Sequence, residues 1–221
     1  MQRVVETNNG IQDMGSVKKY DNMQKDIKDN GWLKDKVDFI LRSGEPKDKI
    51  LEIGQGPGLL GLECLKCLED ALLVGVDVSA NMVDVAIKNS SKYGLSRRTV
   101  YIICDAHQLC FGNNQFDCII SSYSLHEWKN PVHVFREMER VLKKQGKVCL
   151  IDFRRDANTD ILNRRVESMK DKDMQEGYLA SVNASYTKEE IEKILSQTCL
   201  VIEEMKVDDV EIFLTLKVKG D

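Results

Sequence analysis

The sequence predicts a doubly wound α/β fold whose seven strands form a mostly parallel sheet ending in an antiparallel hairpin. Two observations carry this prediction. Apolar, strand-like runs alternate with amphipathic helical patterns, which is typical of a parallel sheet covered by helices on both faces. The last two strand-like runs, Leu200–Val207 and Glu211–Val218, are separated only by a short acidic link, so we expect them to pair as a hairpin.

Five strands are predicted before the hairpin, each a short apolar run bounded by polar residues or glycine. They are Lys49–Ile53, Ala71–Asp77, Thr99–Cys104, Phe116–Ser121 and Gly146–Asp152. Helices are predicted where apolar residues recur every three or four positions: at 58–68, after the N-cap Ser79, and after Asn130-Pro131, where proline suits the first helical turn. Thr187 and Glu190 form a capping box before a further helix.

The remaining segments divide the chain into two expected parts. Residues 1–45 are predicted to be an N-terminal helical extension that acts as a lid, with a helical region over about 20–43 interrupted near Asn30-Gly31. Residues 46–221 are predicted to form the sheet domain. Within that domain, the charged stretch at about 154–186 has no steady period, and we expect it to be an inserted lid.

Composition narrows the possible functions. The chain has 221 residues, 42% of them hydrophobic, and a formal net charge of −4. This charge provides no general attraction to nucleic acid or to an anionic membrane. No segment has the roughly 18 consecutive apolar residues of a membrane span, and the N-terminus has no apolar signal core. We therefore expect neither a nucleic-acid partner nor a membrane span.

The cysteines favour a reducing environment. There are seven, and their spacing does not suggest a disulfide scaffold, so we expect reduced thiols and a cytoplasmic location. One Cys-x-x-Cys pair, Cys64 and Cys67, falls on the helix after the first strand, where both thiols are expected to face the sheet. No second pair completes a zinc site, so no metal site is predicted.

The most informative motif joins the first strand to its helix. Glu52-Ile53-Gly54-Gln55-Gly56-Pro57-Gly58 places an acid and three glycines at the end of a buried strand. Glycine permits a positive φ and lets the backbone approach a ligand closely, and the amides at the start of the next helix can face that ligand. Ligands of doubly wound sheets bind beyond the carboxyl ends of the strands. The strand-end residues Asp77, Asp105 and Ser121 are therefore candidates as well.

A nicotinamide dinucleotide is one candidate cofactor for this geometry, and a second candidate follows from further motifs in the chain. Gly56-Pro57-Gly58-Leu59-Leu60-Gly61 matches the G-x-G-x-x-G pattern of NAD(P)-dependent oxidoreductases, and Asp77 lies 21 residues beyond Gly56. The first glycine of this match is two residues too far beyond the strand, which disfavours a nicotinamide cofactor. A cofactor-binding but non-catalytic partner or sensor is a third possibility.

Four motifs in order resemble those of the class I S-adenosylmethionine-dependent methyltransferases. They are the glycine motif, Gly75–Met82, Cys104-Asp105-Ala106 and Phe116–Ser121. Within that superfamily the chain is most similar to the type 11 small-molecule group that includes the ubiquinone and menaquinone methylases, over about residues 49–152. The resemblance implies a Rossmann-like methyltransferase fold. It also implies transfer of a methyl group from S-adenosylmethionine to a small-molecule acceptor by in-line displacement, with S-adenosylhomocysteine as product.

The resemblance also implies residues for the methionine end of the cofactor. The backbone at Gly54, Gly56 and Gly58 would pass beside the methionyl and ribosyl parts. Glu52 would orient the amino group of the methionine moiety, directly or through water. Ser121 occupies the position at which the family uses a backbone carbonyl to hold the same amino group.

A second set is implied for the adenosine end. Asp77 would accept hydrogen bonds from both ribose hydroxyls. Asp105 would accept a bond from the exocyclic adenine amine, with the amide of Ala106 facing a ring nitrogen, and Val78 and Met82 would lie on the adenine faces. Alternative roles are open for several of these residues: a strand-end aspartate can cap the next helix, and Met82 can equally be a core residue.

The acceptor is expected beside Ser121–Trp128, which follows the fourth strand. An acceptor hydroxyl or protonated amine needs a base, and His126 and Tyr123 are the predicted catalytic candidates. A purely structural loop role for His126 is the alternative. Several aromatic residues are candidates for the roof of the acceptor pocket: Tyr20, Trp32, Trp128, Tyr178 and Tyr186. The sequence does not choose among oxygen, nitrogen, carbon and sulfur acceptors, nor does it specify the oligomeric state.

Overall fold

The sheet contains all seven predicted strands. The computed structural model describes residues 2–5, 10–169 and 171–220. Met1 and residues 6–9 of the predicted N-terminal lid, Lys170 of the predicted insertion, and Asp221 lie outside the described residues. The strands are β1 (Lys49–Ile53), β2 (Leu72–Asp77), β3 (Thr99–Ile103), β4 (Phe116–Ser122), β5 (Leu142–Phe153), β6 (Leu200–Val207) and β7 (Glu211–Val218).

The strand order is β3-β2-β1-β4-β5-β7-β6. The first five strands are parallel to one another, whereas β7 pairs antiparallel with both β5 and β6. This confirms the predicted doubly wound sheet and its terminal hairpin. Successive strands are added on one side of β1 up to β3 and on its other side from β4 onwards. The crevice at the carboxyl ends of β1 and β4 is therefore the switch point at which ligands bind in such folds.

Helices cover both faces of the sheet. They are α1 (Met14–Asp29), α2 (Lys34–Phe39), α3 (Leu59–Lys66), α4 (Ala80–Lys92), α5 (Pro131–Val141), α6 (Thr159–Ser168), α7 (Lys172–Ala184) and α8 (Lys188–Leu195). The predicted caps are present: Ser79 accepts from the Met82 N–H, and Thr187 and Glu190 form the capping box of α8. The predicted insertion consists of α6 and α7.

The core is divided by the sheet into two layers. On one face, Leu51 and Ile53 of β1 pack with Phe135 of α5 and Ile191 of α8. On the other face, Ile50 belongs to the cluster formed with α2 and α3. Since both faces of β1 are covered, the strand that leads into the glycine loop is buried along almost its whole length. Each fully buried aliphatic side chain contributes about 1.5–3 kcal/mol, which holds this end of the sheet firmly in place.

One sequence-based expectation for this region is wrong. Cys64 is buried as predicted, but Cys67 is exposed. Helix α3 ends at Lys66, so Cys67 is its C-cap residue and turns away from the sheet. All seven cysteines are free thiols. Among the described residues, every helix is too short or too polar to cross a bilayer.

Candidate active site

The glycine loop adopts a backbone that side chains disfavour. Gly54, Gly56 and Gly58 have φ values of 67°, 50° and 75°, all in the left-handed region. A Cβ at Gly54 would lie 2.4 Å from Oγ of Ser124, a contact that no real side chain makes. Three left-handed glycines within five residues exceed what a strand-to-helix turn requires, and they leave bare backbone at the carboxyl edge of β1.

Asp77 fastens this loop to the end of β2. Its Oδ2 accepts from the Gly56 N–H at 3.0 Å, and its Oδ1 accepts from the Ser79 N–H at 2.8 Å. Burial raises the pKa of Asp77, and these backbone bonds partly offset that effect. Each oxygen has a second lone pair that can receive a ligand hydroxyl. The N-cap of α4 is Ser79, so the alternative that Asp77 caps this helix is wrong.

Glu52 is a buried carboxyl group beneath the loop. Its Oε1 accepts from the Gly61 N–H at 3.3 Å, while Oε2 is buried without a hydrogen-bond partner among the described residues. Burial raises the pKa of Glu52 to about 8. A Cβ on Gly61 would lie 2.3 Å from Oε2, so the third glycine of the G-x-G-x-x-G match serves close packing of α3 on Glu52.

Two further polar atoms at this end of the sheet are buried without a hydrogen-bond partner in the described part of the chain: Oε1 of Gln55 and the hydroxyl of Tyr101. The Tyr101 ring leans across Gly75, where a Cβ would lie 2.6 Å from it. Unpaired buried polar atoms are rare in folded proteins and mark places where a ligand group or water is expected. Together with the bare glycine backbone, they fit a polar ligand at the β1–β2 edge.

The residues predicted for adenine lie at the ends of β2 and β3, but they are not equally open. The Val78 side chain is 42% exposed. Met82 is 4% exposed and packs with Val17 and Val85 in a small cluster between α1 and α4. Met82 is therefore a core residue in this structure, and Val78 is the one of the two whose side chain is open to a ligand. Ala106 is half-buried in the loop after β3.

His126 is held by Asp152, a residue that was not singled out from the sequence. The Nδ1 atom of His126 lies 2.7 Å from Oδ1 of Asp152, and the His126 backbone N–H donates to Oδ2 at 3.0 Å. Both side chains are 2% exposed. Asp152 ends the predicted fifth strand and is the penultimate residue of β5, as Asp77 is the last residue of β2, so the strand-end rule that selected Asp77 could have found it. Nearby, Ser121 donates through Oγ to the Ile53 carbonyl at 2.9 Å and joins the ends of β4 and β1.

Tyr123 lies in a strained turn beside a buried ion pair. It is one of the non-glycine residues with a positive φ, at 53°. Its hydroxyl donates to Glu211, whose carboxylate lies 3.3 Å from Nζ of Lys36. Burial and the neighbouring Glu211 raise the pKa of Tyr123 well above its usual value. A phenol in this setting stays protonated, so the structure disfavours the predicted role of Tyr123 as a base.

The aromatic residues near the acceptor position form one connected group. Tyr123 stacks on Phe153 with 4.5 Å between ring centroids, and Tyr178 of α7 meets Phe153 edge-on at 5.0 Å. Two of the aromatic residues predicted to roof the acceptor pocket do not belong to this group. Trp128 is buried and donates to Ser124 Oγ at 3.0 Å, and Trp32 is exposed.

The N-terminal part of the chain lies over this edge of the sheet. The Tyr20 ring approaches Gly56, with 3.6 Å between its Cε1 and an ideal Cβ at that glycine. Asn81 of α4 donates to the Gln12 carbonyl at 2.7 Å. Further along, the Arg3 guanidinium donates to the His126 carbonyl at 2.8 Å and lies 4.1 Å from the Tyr186 ring centroid. The structure thus places the predicted N-terminal lid next to the candidate site.

Sequence comparisons agree with this geometry. Residues 51–150 match the methyltransferase domain family. The ubiquinone/menaquinone biosynthesis C-methyltransferase of Blochmanniella pennsylvanica is 29% identical over 105 residues, which cover 47% of this chain and 41% of that protein. The 27-O-demethylrifamycin SV methyltransferase of Amycolatopsis mediterranei is 31% identical over 113 residues, covering 51% of this chain and 40% of that protein. The match thus spans about two fifths of the length of these relatives.

Solved structures resemble the whole fold. An S-adenosylmethionine-dependent methyltransferase from Aquifex aeolicus superposes with a TM-score of 0.70 at 18% identity, over 93% of this chain and 98% of that one. The geranyl diphosphate C-methyltransferase of Streptomyces coelicolor, solved with S-adenosyl-L-homocysteine, superposes with a TM-score of 0.66 at 13% identity, over 84% and 80%. At these identities the likeness establishes the fold. Residues 51–150 therefore resemble the methyltransferase domain family in sequence, and the chain shares the fold of solved S-adenosylmethionine-dependent methyltransferases.

Proposed function

We propose that this chain binds S-adenosylmethionine at the carboxyl edge of β1, β2 and β3 and transfers its methyl group to a small molecule by in-line displacement. The observation that carries the proposal is the glycine loop, whose three left-handed residues expose backbone beside the Asp77 carboxylate. The relatives named above are methyltransferases, and the names of two refer to the small molecules ubiquinone, menaquinone and rifamycin.

The cofactor residues divide by chemistry. Asp77 would receive the ribose hydroxyls, and the exposed Val78 side chain would contact the adenine face. Asp105 and the Ala106 amide would bind the adenine edge. At the other end, Glu52 and the Ser121 carbonyl would receive the methionine amino group. A cationic amino group beside Glu52 would favour its ionised form and so compensate for its burial.

The bound cofactor supplies a methyl group already activated by a sulfonium centre, so the protein's task is alignment and exclusion of water. Tyr20 and the N-terminal segment cover the edge of the sheet and would limit access of solvent. The rings of Tyr123, Phe153 and Tyr178 pack together as an aromatic cluster, and an exposed ring of this cluster would suit a planar acceptor.

His126 is the proposed general base. Asp152 accepts from Nδ1–H, so it orients the imidazole and assigns the proton-accepting lone pair to Nε2. An Asp–His pair of this kind suits removal of a proton from an acceptor hydroxyl or protonated amine. The seven free thiols further support a reducing, cytoplasmic setting for the reaction.

A methyl-transfer assay tests this function. The protein would be incubated with S-adenosylmethionine labelled in its methyl group and a panel of planar small molecules bearing hydroxyl or amine groups. We expect labelled product and S-adenosylhomocysteine from at least one acceptor, with transfer lost in His126→Asn and kept in His133→Asn, a histidine on α5. Labelled product at an unchanged rate from His126→Asn would contradict the proposed base.

A further inference from the structure

The loop after β3 contains a hydrogen-bond relay centred on His107. The His107 backbone N–H donates to Oδ1 of Asp105 at 2.9 Å, and Nδ1 of the imidazole lies 2.7 Å from the same oxygen. On its other side, Nε2 of His107 lies 3.2 Å from the backbone nitrogen of Asn130. Asn130 is the N-cap of α5, where its side chain accepts from the His133 N–H. The relay thus runs from the start of α5 through the imidazole to Asp105.

The relay determines the tautomer of His107. The Asn130 N–H can only donate, so Nε2 must carry a lone pair. The ring hydrogen of the neutral imidazole is then on Nδ1, where it is donated to Asp105. The His107 side chain is 26% exposed, so the ring is fixed by these bonds on a partly solvated surface.

Both His107 donors go to one oxygen of Asp105. Among the described residues, Oδ2 receives no hydrogen bond. The carboxylate side chain is 63% exposed, so Oδ2 is open to a ligand donor. Partial burial acts to raise the pKa of Asp105, but the interactions with His107 and the nearby Lys129 cation together outweigh it and lower the pKa below its usual value. Asp105 is therefore an ionised, acceptor-only group with one oxygen held and the other open.

We propose that His107 is a positioning residue for adenine recognition, which holds the Asp105 carboxylate so that Oδ2 faces the 6-amino group of the cofactor. This inference rests on the proposed S-adenosylmethionine site. The amino group donates to Oδ2, whereas a 6-oxo group at the same place would present an acceptor to a carboxylate. His107 thus increases the preference for adenine over hypoxanthine, and it joins the loop after β3 to α5.

The test is calorimetry with two probes, S-adenosylhomocysteine and its deaminated analogue S-inosylhomocysteine. Wild-type protein should prefer the adenosyl compound by about tenfold or more, the range for a hydrogen bond to a charged group. His107→Leu should reduce this preference at least threefold. His107→Asn keeps a donor near the Nδ1 position and should restore most of it. His133 is the control, because its ring centroid lies 6.2 Å from that of His107. The variant His133→Leu should leave the preference unchanged.

The outcomes separate the two proposals. If wild-type protein binds neither probe, the cofactor site itself is wrong. If it prefers the adenosyl compound and His107→Leu, shown to be folded by circular dichroism, weakens both probes equally, His107 has no role in base recognition and the inference is overturned. An equal loss of preference in His107→Leu and His107→Asn would likewise overturn it, because the donor would then be irrelevant.

Discussion

His126 and Asp152 form a buried pair that joins the loop after β4 to the end of β5, with 2.7 Å between Nδ1 and Oδ1. The carboxylate also accepts from the His126 backbone N–H, so one side chain positions both the ring and the main chain of the histidine. Arg3 donates to the carbonyl of the same residue. The proposed base is therefore held in place both by Asp152 of the sheet and by Arg3 of the N-terminal segment.

Replacing Asp152 tests the pair directly. In Asp152→Asn the amide can present a donor to Nδ1, which disfavours the tautomer with its lone pair on Nε2. We expect methyl transfer to fall about 10²–10⁴-fold, the range for loss of general base catalysis. Affinity for S-adenosylhomocysteine, measured by calorimetry, should change little.

The control is Asp117→Asn at the opposite end of β4. Asp117 accepts backbone bonds from Lys47 and Lys49 and lies far along the strand from His126. This variant should lose stability but keep its turnover per folded molecule. Equal loss of turnover in the two variants would indicate that the effect of Asp152→Asn comes from the fold.

Glu52 should make stability depend on pH. Its pKa of about 8 in the folded protein lies above the 4.5 of an unperturbed glutamate, so the folded state holds this proton more tightly than the unfolded state. The contribution of protonated Glu52 to the free energy of unfolding is fully present below pH 4.5 and is lost as pH rises through about 8. Glu52→Gln cannot ionise and should avoid this loss, which is on the order of a few kcal/mol.

The measurement is urea unfolding from pH 5 to pH 9 without cofactor. The free energy of unfolding of wild type should fall relative to that of Glu52→Gln as pH rises. Glu69→Gln, at an exposed position, should follow wild type. Parallel curves for wild type and Glu52→Gln would show that Glu52 is already ionised at neutral pH.

Gly54→Ala should damage both folding and cofactor binding. The substitution combines a left-handed alanine, which costs about 1–2 kcal/mol, with a contact to Ser124 that adds about 1–3 kcal/mol. Gly94 has a similar φ of 70° with open space around it. Gly94→Ala therefore measures the cost of a left-handed alanine without a steric contact. Urea unfolding should rank Gly54→Ala below Gly94→Ala, and similar stabilities would contradict the predicted contact.

The Lys36–Glu211 pair should behave as a buried ion pair. The side chains are 11% and 8% exposed, so Lys36→Met strands a carboxylate in the interior and should cost about 3–5 kcal/mol. The double variant Lys36→Met/Glu211→Gln removes both charges and should recover most of that loss. Lys66, which is 54% exposed and pairs with Glu63, is the control, and Lys66→Met should cost less than about 1 kcal/mol. A double variant no more stable than Lys36→Met would refute the charge argument.

The sequence predicted those parts of the molecule that depend on local chemistry. The hairpin strands have the expected bounds because two apolar runs around a short acidic link allow only one pairing. The left-handed glycines follow from residue type and position at the end of a buried strand.

Contacts between distant segments could not be predicted in this way. Lys36 and Glu211 are separated by 175 residues, and periodicity indicates which face of an element is buried but not which residue it meets. The sequence leaves Met82 open between an adenine contact and a core position, because nothing in its own helix reveals that α1 packs over it. Tyr123 was a candidate base because its type suits proton transfer, whereas Glu211, 88 residues away, makes it a donor.

Calorimetric titration with S-adenosylhomocysteine, run beside NADH, tests the central claim most directly. We predict micromolar binding of S-adenosylhomocysteine alone, lost in Asp77→Ala and kept in Asp84→Ala, an exposed position on α4. Binding of NADH instead, or of neither compound by wild-type protein, would contradict the assignment of this edge of the sheet to S-adenosylmethionine.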